Sequence, residues 1–296
     1  MHCAKGFKLA LITAGFSGVA VFLNSLTVKA VGDALVFTTI KNLGVALIIG
    51  AVLLKQKINW PVVRANWPAL LAIGVIGGSL PFYLFFKGLT LTNAATGALI
   101  HKTLIFWVAL WAIPVLKEKI NAKQWLALGL IFGSNFVIGG LPALKWGTGE
   151  TMILAATLLW AVENIIAKVT LKRVQADAVV GARMILGSLI LLLAVVAGGK
   201  LELIFKLNST QWLMTLVSIF LLTGYVMTWY RALKLAPVTL VATVLTLATI
   251  ITNILSGIFI THSLKIELIY QTILLVAGSW FFVKEAGKNE RAFALR

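Results

Sequence analysis

Ten stretches of this sequence are apolar over about the 20 residues that a helix needs to cross the ~30 Å hydrocarbon core of a bilayer. They run over 7–28, 34–54, 68–88, 94–116, 122–141, 149–170, 177–198, 209–231, 237–261 and 266–283. The runs are continuous and show no period of two, which selects helices over barrel strands. Short connections carry turn chemistry, as in Asn59-Trp60-Pro61, Gly139-Gly140-Leu141-Pro142, Gly147-Thr148-Gly149 and Ala236-Pro237. Of 296 residues, 60% are hydrophobic and 12% charged. That is half the charge of an ordinary soluble domain, too little to coat a water-soluble particle, and the same figures exclude disorder. The expected fold class is an all-α polytopic membrane protein with ten transmembrane helices.

A net charge of +17 would suggest nucleic acid in a soluble chain. Placement removes that reading. Of the 26 basic residues, 17 flank the spans on the side that holds both termini, among them Lys284, Lys288, Arg291 and Arg296 of the tail. Six lie on the other side (Lys29, Lys87, Lys145, Lys200, Lys206 and Lys265), and Lys41, Lys102 and Arg183 fall inside spans. The positive-inside rule then puts both termini in the cytoplasm, with the plasma (inner) membrane as the expected location. The first span follows Lys5 and Lys8 and is too long for a signal-peptide core. Cys3 is the sole cysteine, so no internal disulfide forms.

The ten spans divide into five and five. Phe86-Lys87-Gly88-Leu89-Thr90-Leu91 matches Tyr230-Arg231-Ala232-Leu233-Lys234-Leu235 at an offset of 144, and Gly133-Ser134-Asn135-Phe136 matches Gly278-Ser279-Trp280-Phe281 at 145. Lys41 answers to Arg183 at 142. Because five is odd, the second half enters the membrane in the opposite sense. Inverted repeats of this kind mark secondary transporters, with the site near the midplane between the halves. The expected units are residues 1–144 and 145–296.

Phe86 to Asn93, Leu116-Lys117-Glu118-Lys119, the Gly129/Gly133 spacing and Leu158-Leu159-Trp160-Ala161 through Lys168 together resemble the drug/metabolite transporter superfamily, of the EamA type. Glu118 sits where that family has its loop glutamate, whereas the second half has His262 and Ser263 there. The resemblance implies a ten-helix basket with a central cavity lined by spans one, three, four, six, eight and nine. It also implies transport of a small organic metabolite, often outward.

A charge inside a span costs at least about 2.5–3.5 kcal/mol on insertion scales, so each needs a reason. Lys102, on the fourth span, follows His101 and precedes Thr103, Phe106 and Trp107. It suits a substrate carboxylate or phosphate; the alternatives are a structural pair with Glu163 and snorkelling. Glu163, the sole carboxylate well inside a span, reads as a proton-coupling group or as an ion-pair partner. Lys41 and Arg183 read as structural or gating charges. The ninth span carries Thr239, Thr243, Thr246, Thr249 and Asn253 at helical spacing, either lining a polar path or bonding preceding carbonyls. Phe82, Tyr83, Phe85, Phe86, Trp229 and Tyr230 read mainly as interface belts, with Tyr83 and Tyr225 also candidates for a cavity wall. Gly74/Gly78 and Gly129/Gly133 read as close-packing pairs.

The candidate substrate-binding set is therefore Lys102, His101, Trp107, Tyr83, Thr246 and Asn253, with Glu163, Lys41 and Arg183 as coupling or ion-pair residues. The excess of positive charge within the spans favours an amino acid or organic anion, moved by an exporter or exchanger working by alternating access. A lipid-head-group flippase or an uncoupled channel is the alternative. Neither a phosphate-binding glycine loop nor a metal-ligand cluster occurs, so no enzyme activity, cofactor or metal is expected. The expected partners are the anionic or zwitterionic metabolite, the lipid bilayer and a second copy in a homodimer, without nucleic acid.

Overall fold

The computed structural model describes residues 2–92, 94–139 and 146–294. Every regular element among them is a helix: α1 (His2–Val31), α2 (Ala34–Leu54), α3 (Trp60–Ala65), α4 (Trp67–Gly78), α5 (Leu80–Leu91), α6 (Ala94–Lys102), α7 (Leu104–Leu116), α8 (Ala122–Gly133), α9 (Asn135–Gly139), α10 (Thr148–Thr170), α11 (Ala176–Ala197), α12 (Leu201–Phe205), α13 (Ser209–Leu235), α14 (Val238–Leu245), α15 (Ala248–Phe259) and α16 (Glu267–Ala294). Caps fix where they begin. The Asp33 carboxylate accepts from the backbone N–H groups of Leu35 and Val36, while Asn121/Gln124 and Asn208/Gln211 form capping boxes. Asn93, the Gly140-Leu141-Pro142 turn, Lys145 and Arg296 lie outside the described residues, as do the side chains of Lys288 and Arg291.

Among the described residues, eight stretches are long and apolar enough to cross a membrane: Cys3–Val31, Ala34–Leu54, Trp67–Leu91, Thr96–Leu116, Thr148–Thr170, Ala176–Ala197, Ser209–Leu235 and Val238–Phe259. The fifth and tenth expected spans fall short of that standard. The fifth is split into α8 and α9, 12 and 5 residues long. The tenth, α16, carries Glu267 and Gln271 in its first turns.

Four expected spans are broken, and each break falls on a hydroxyl residue. Ser79, Thr103, Ser134 and Thr246 bond back to the carbonyls of Val75 (2.9 Å), Ile100 (2.6 Å), Ile131 (2.6 Å) and Thr243 (2.6 Å). Such back-bonding competes with the helical ladder and bends it.

The helices pack as two related halves. The first span, α1, lies against α13, as α10 of the second half lies against α4 and α5 of the first. Helix α1 also meets α14 and α15, as α10 meets α6 and α7, while α2 crosses α11 and α8 packs on α16. Local detail repeats too. Lys117 and His262, 145 residues apart, both take left-handed φ values, 57° and 49°. The next N–H in each case returns to a carbonyl six residues back, Glu118 to Ala112 at 3.3 Å and Ser263 to Gly257 at 3.0 Å, one residue wider than the bond that closes a Schellman turn. The breaks in spans four and nine lie 144 residues apart, before Leu104 and Ala248. Lys41 and Arg183 are two residues out of this register, so they are not backbone equivalents.

Two expectations from the sequence need correction. Phe82, Phe86, Trp229 and Tyr230 are buried in the core and are not interface belts. Helices α5 and α13 run on past the expected ends, to Leu91 and Leu235, which draws these rings inward. The second concerns the glycine pairs. Gly74 and Gly78 do abut α11, whereas Gly129 and Gly133 face open space.

Candidate functional site

Helices α2, α4, α5, α10, α11 and α13 enclose a buried layer of charge. Glu163 on α10 is 1% exposed and accepts the hydroxyl hydrogen of Tyr230. Arg183 on α11 donates through Nη1 to the Tyr230 hydroxyl at 3.1 Å and through Nε to the Gly77 carbonyl at 3.2 Å. The Trp160 indole donates to that same carbonyl at 3.3 Å. A side chain at Gly77 would lie 2.5 Å from Cγ of Glu163, so a glycine there lets the carboxylate seat against α4.

Lys41 on α2 is also 1% exposed. Its ammonium lies 4.7, 5.4 and 4.4 Å from the ring centroids of Phe37, Phe82 and Phe86. Among the described residues no carboxylate forms an ion pair with it. Phe82 also has Arg183 at 5.7 Å, so one ring borders both cations. A desolvated cation on aromatic faces gains about 2 kcal/mol, against several for leaving water.

Lys102 lies apart from this layer. Its Nζ donates to Oδ1 of Asn135 at 2.5 Å, and Asn135 is itself anchored by its Nδ2 on the Phe132 carbonyl at 2.8 Å. In place of the Lys102–Glu163 pair that was one alternative for these residues, the structure has two separate arrangements. Lys102, Asn135, Thr246 and Thr249 share a cavity with Ile105, Ile131, Phe132 and Leu275. Its volume of about 10 Å³ is roughly what one water requires.

The other candidates distribute as follows. His101 lies 3.4 Å from the Thr157 hydroxyl and packs on Phe85 and Trp160, with centroids at 4.9 and 5.2 Å. Trp160 meets Phe82 at 5.3 Å, so an aromatic chain joins His101 to the buried charge layer. The Trp107 indole donates to Thr103, one turn back, at 3.1 Å. Asn253 donates to Gln271 on α16 at 2.6 Å. Tyr83 packs into a satellite cluster with Leu35, Leu191 and Val195, away from both groups. Tyr225 stacks on Trp229, whose indole bonds Asn164 at 3.2 Å.

Glu118 caps α14, accepting from the backbone N–H groups of Val238 (2.7 Å) and Thr239 (3.3 Å) and from the Thr239 hydroxyl (2.6 Å). The first threonine of the ninth-span stripe is therefore a capping residue, and only Thr246 and Thr249 of that stripe face the Lys102 cavity. Sequence reading missed Asn135, Gln271 and the central place of Tyr230. Two signals were available for Tyr230: its spacing within α13 and the need of an intramembrane carboxylate for a donor.

A profile of the EamA-like transporter family matches residues 4–140 and again 147–284. Among solved structures, one titled "Crystal structure of protein" superposes with a TM-score of 0.76 at 16% identity, covering 95% of this chain and 98% of that one. At that identity the likeness is one of fold. No curated protein matches the chain. The family is one of small-molecule membrane transporters, not of enzymes. With a profile match in each half and a helical fold whose halves repeat one another, the chain belongs to the EamA-like transporter family.

Proposed function

We propose that this protein is a ten-span secondary transporter, an exporter or exchanger, of a small anionic or zwitterionic metabolite such as an amino acid or organic anion. Both termini are cytoplasmic, in the plasma membrane, and the halves 1–144 and 145–296 rock against each other about a site at Lys102. One observation carries the reading: the breaks of spans four and nine, equivalent under the repeat, bring Lys102 of the first half and Thr246 of the second to one cavity. Transporters place substrate at discontinuous helices between inverted repeats. The cavity is near one water in size, so this conformation is closed, and substrate enters only when the halves separate.

Lys102, now held by a neutral amide, is free to exchange that partner for a substrate anion. A hydrogen bond to a charged group contributes about 1.5–3 kcal/mol. In proteoliposomes offered pooled amino acids and organic anions, wild type should accumulate a selected anion. Lys102→Gln should raise its KM between about tenfold and a hundredfold. Equal KM values in the two proteins would remove Lys102 from the path. Transport restricted to lipid-linked solutes would favour a flippase.

A further inference from the structure

Each half has a short helix at the same corner. Helix α3 follows α2, and α12 follows α11; Trp60 and Phe205, 145 residues apart, are 55% and 80% exposed. The two corners each carry a short helix and an exposed aromatic but differ in charge. At the α12 corner both lysines are neutralised within the chain, Lys200 by Asp33 at 2.6 Å and Lys206 by Glu202 at 3.1 Å. At the α3 corner Lys55, Lys57 and Arg64 are exposed, and none belongs to an ion pair among the described residues. Gln56 takes the position equivalent to Lys200, donating to Asp177 at 2.9 Å, and Asp177 is already occupied by Arg231 at 2.9 Å. The corner therefore has cations without an internal counter-charge.

These cations stand beside exposed apolar groups. Leu54 is 90% exposed and Trp67 63%. Arg64 lies four residues after Trp60, so the two share one face of α3. We propose that the α3 corner is a binding site for the phosphate head group of an anionic phospholipid. Lys55, Lys57 and Arg64 hold the phosphate, while Trp60, Trp67 and Leu54 rest at the level where the glycerol meets the chains. Tryptophan prefers that depth, and a free phosphate ion would leave those three side chains unmatched. The α12 corner serves as an internal control, because it also carries a short helix and has no net cation to offer.

The test uses the full chain in vesicles, with brominated phosphatidylglycerol or brominated phosphatidylcholine as quencher at equal mole fraction. Subtracting the signal of Trp60→Phe isolates Trp60. Brominated phosphatidylglycerol should quench Trp60 in excess of brominated phosphatidylcholine. The excess in apparent affinity should fall about fivefold for each cation removed, as expected for one basic residue near an anionic surface. The single variant Lys57→Gln should lower the preference, the triple variant K55Q/K57Q/R64Q should abolish it, and K200Q/K206Q at the other corner should leave it intact. Equal quenching by the two lipids in wild type would overturn the proposal, as would a preference retained by the triple variant. Loss of the preference on adding inorganic phosphate at matched ionic strength would also overturn it, by showing a site for the free ion.

Discussion

Replacing Gly78 by alanine tests whether the halves are held by backbone contact. A Cβ built there lies 2.0 Å from the Arg183 carbonyl oxygen and 3.1 Å from Cα of Gly187. Ordinary contact needs at least about 3.4 Å, so α4 and α11 must part by about 1.4 Å. The obstacle is backbone, which no rotamer change relieves. Overpacking costs about 1–3 kcal/mol, and a rigid obstacle puts Gly78→Ala near about 3. Transport should fall with stability, because the Gly77 carbonyl holds Arg183 and Trp160, and the Gly78 carbonyl holds Asn42 at 2.9 Å. Gly129→Ala and Gly133→Ala are the controls: both positions face open space, and alanine's helix propensity should leave them unchanged or up to ~1 kcal/mol more stable. Unfolding in graded dodecyl sulfate, followed by tryptophan fluorescence, measures all three. A stable Gly78→Ala, or a Gly133→Ala equally damaged, would refute the reasoning.

Lys41→Met should leave unfolding unchanged or make it harder, since several kcal/mol of desolvation outweigh the ring contacts, while transport falls at least about tenfold; easier unfolding in the same titration would make the ammonium a structural tie. At the corner of α2, burial pushes the Asp33 carboxyl up, but the Lys200 ammonium and the Val36 and Leu35 N–H groups outweigh it and hold the group below its ordinary 3.8. Stability from this pair is therefore whole above the unfolded value and lost as pH falls through the lower folded one. Melting from about pH 6 to pH 3 should show an acid decline that Asp33→Asn flattens, and an identical decline in the variant would assign it to other groups.

Span positions were legible because continuous apolar length reports bilayer thickness directly. The expected 34–54 coincides with α2, and most other ends fall within four residues of a helix terminus. The repeat was legible from short matches, yet its register came from the fold: the helix starts at Leu104 and Ala248 lie 144 apart, as do Asp33 and Asp177 at the starts of α2 and α11, and the Lys41/Arg183 offset of 142 does not share that register. The site was harder to read. Lys102 and Thr246 lie on different halves, and only the folded structure brings them to one cavity. The helix breaks before Leu104 and Ala248 fall at single hydroxyl residues, Thr103 and Thr246, and Thr38 and Thr157 make the same kind of back-bond inside the unbroken α2 and α10. The partner of Glu163 stayed open in the sequence because three intramembrane cations are offered for it, whereas the fold supplies Tyr230 as direct donor with Arg183 behind it.

Alternating exposure of one cavity residue is the most direct test of the proposed cycle. In a Cys3→Ser background, Thr246→Cys would be challenged with a membrane-impermeant thiol reagent from each face of sealed vesicles, with and without the transported solute. The cysteine should react from either face as solute shifts the balance of states, with gain on one side matched by loss on the other. Reaction from both faces at once, without reciprocal change, would contradict alternating access and indicate a channel; a cysteine that stays silent during transport would remove the cavity from the path.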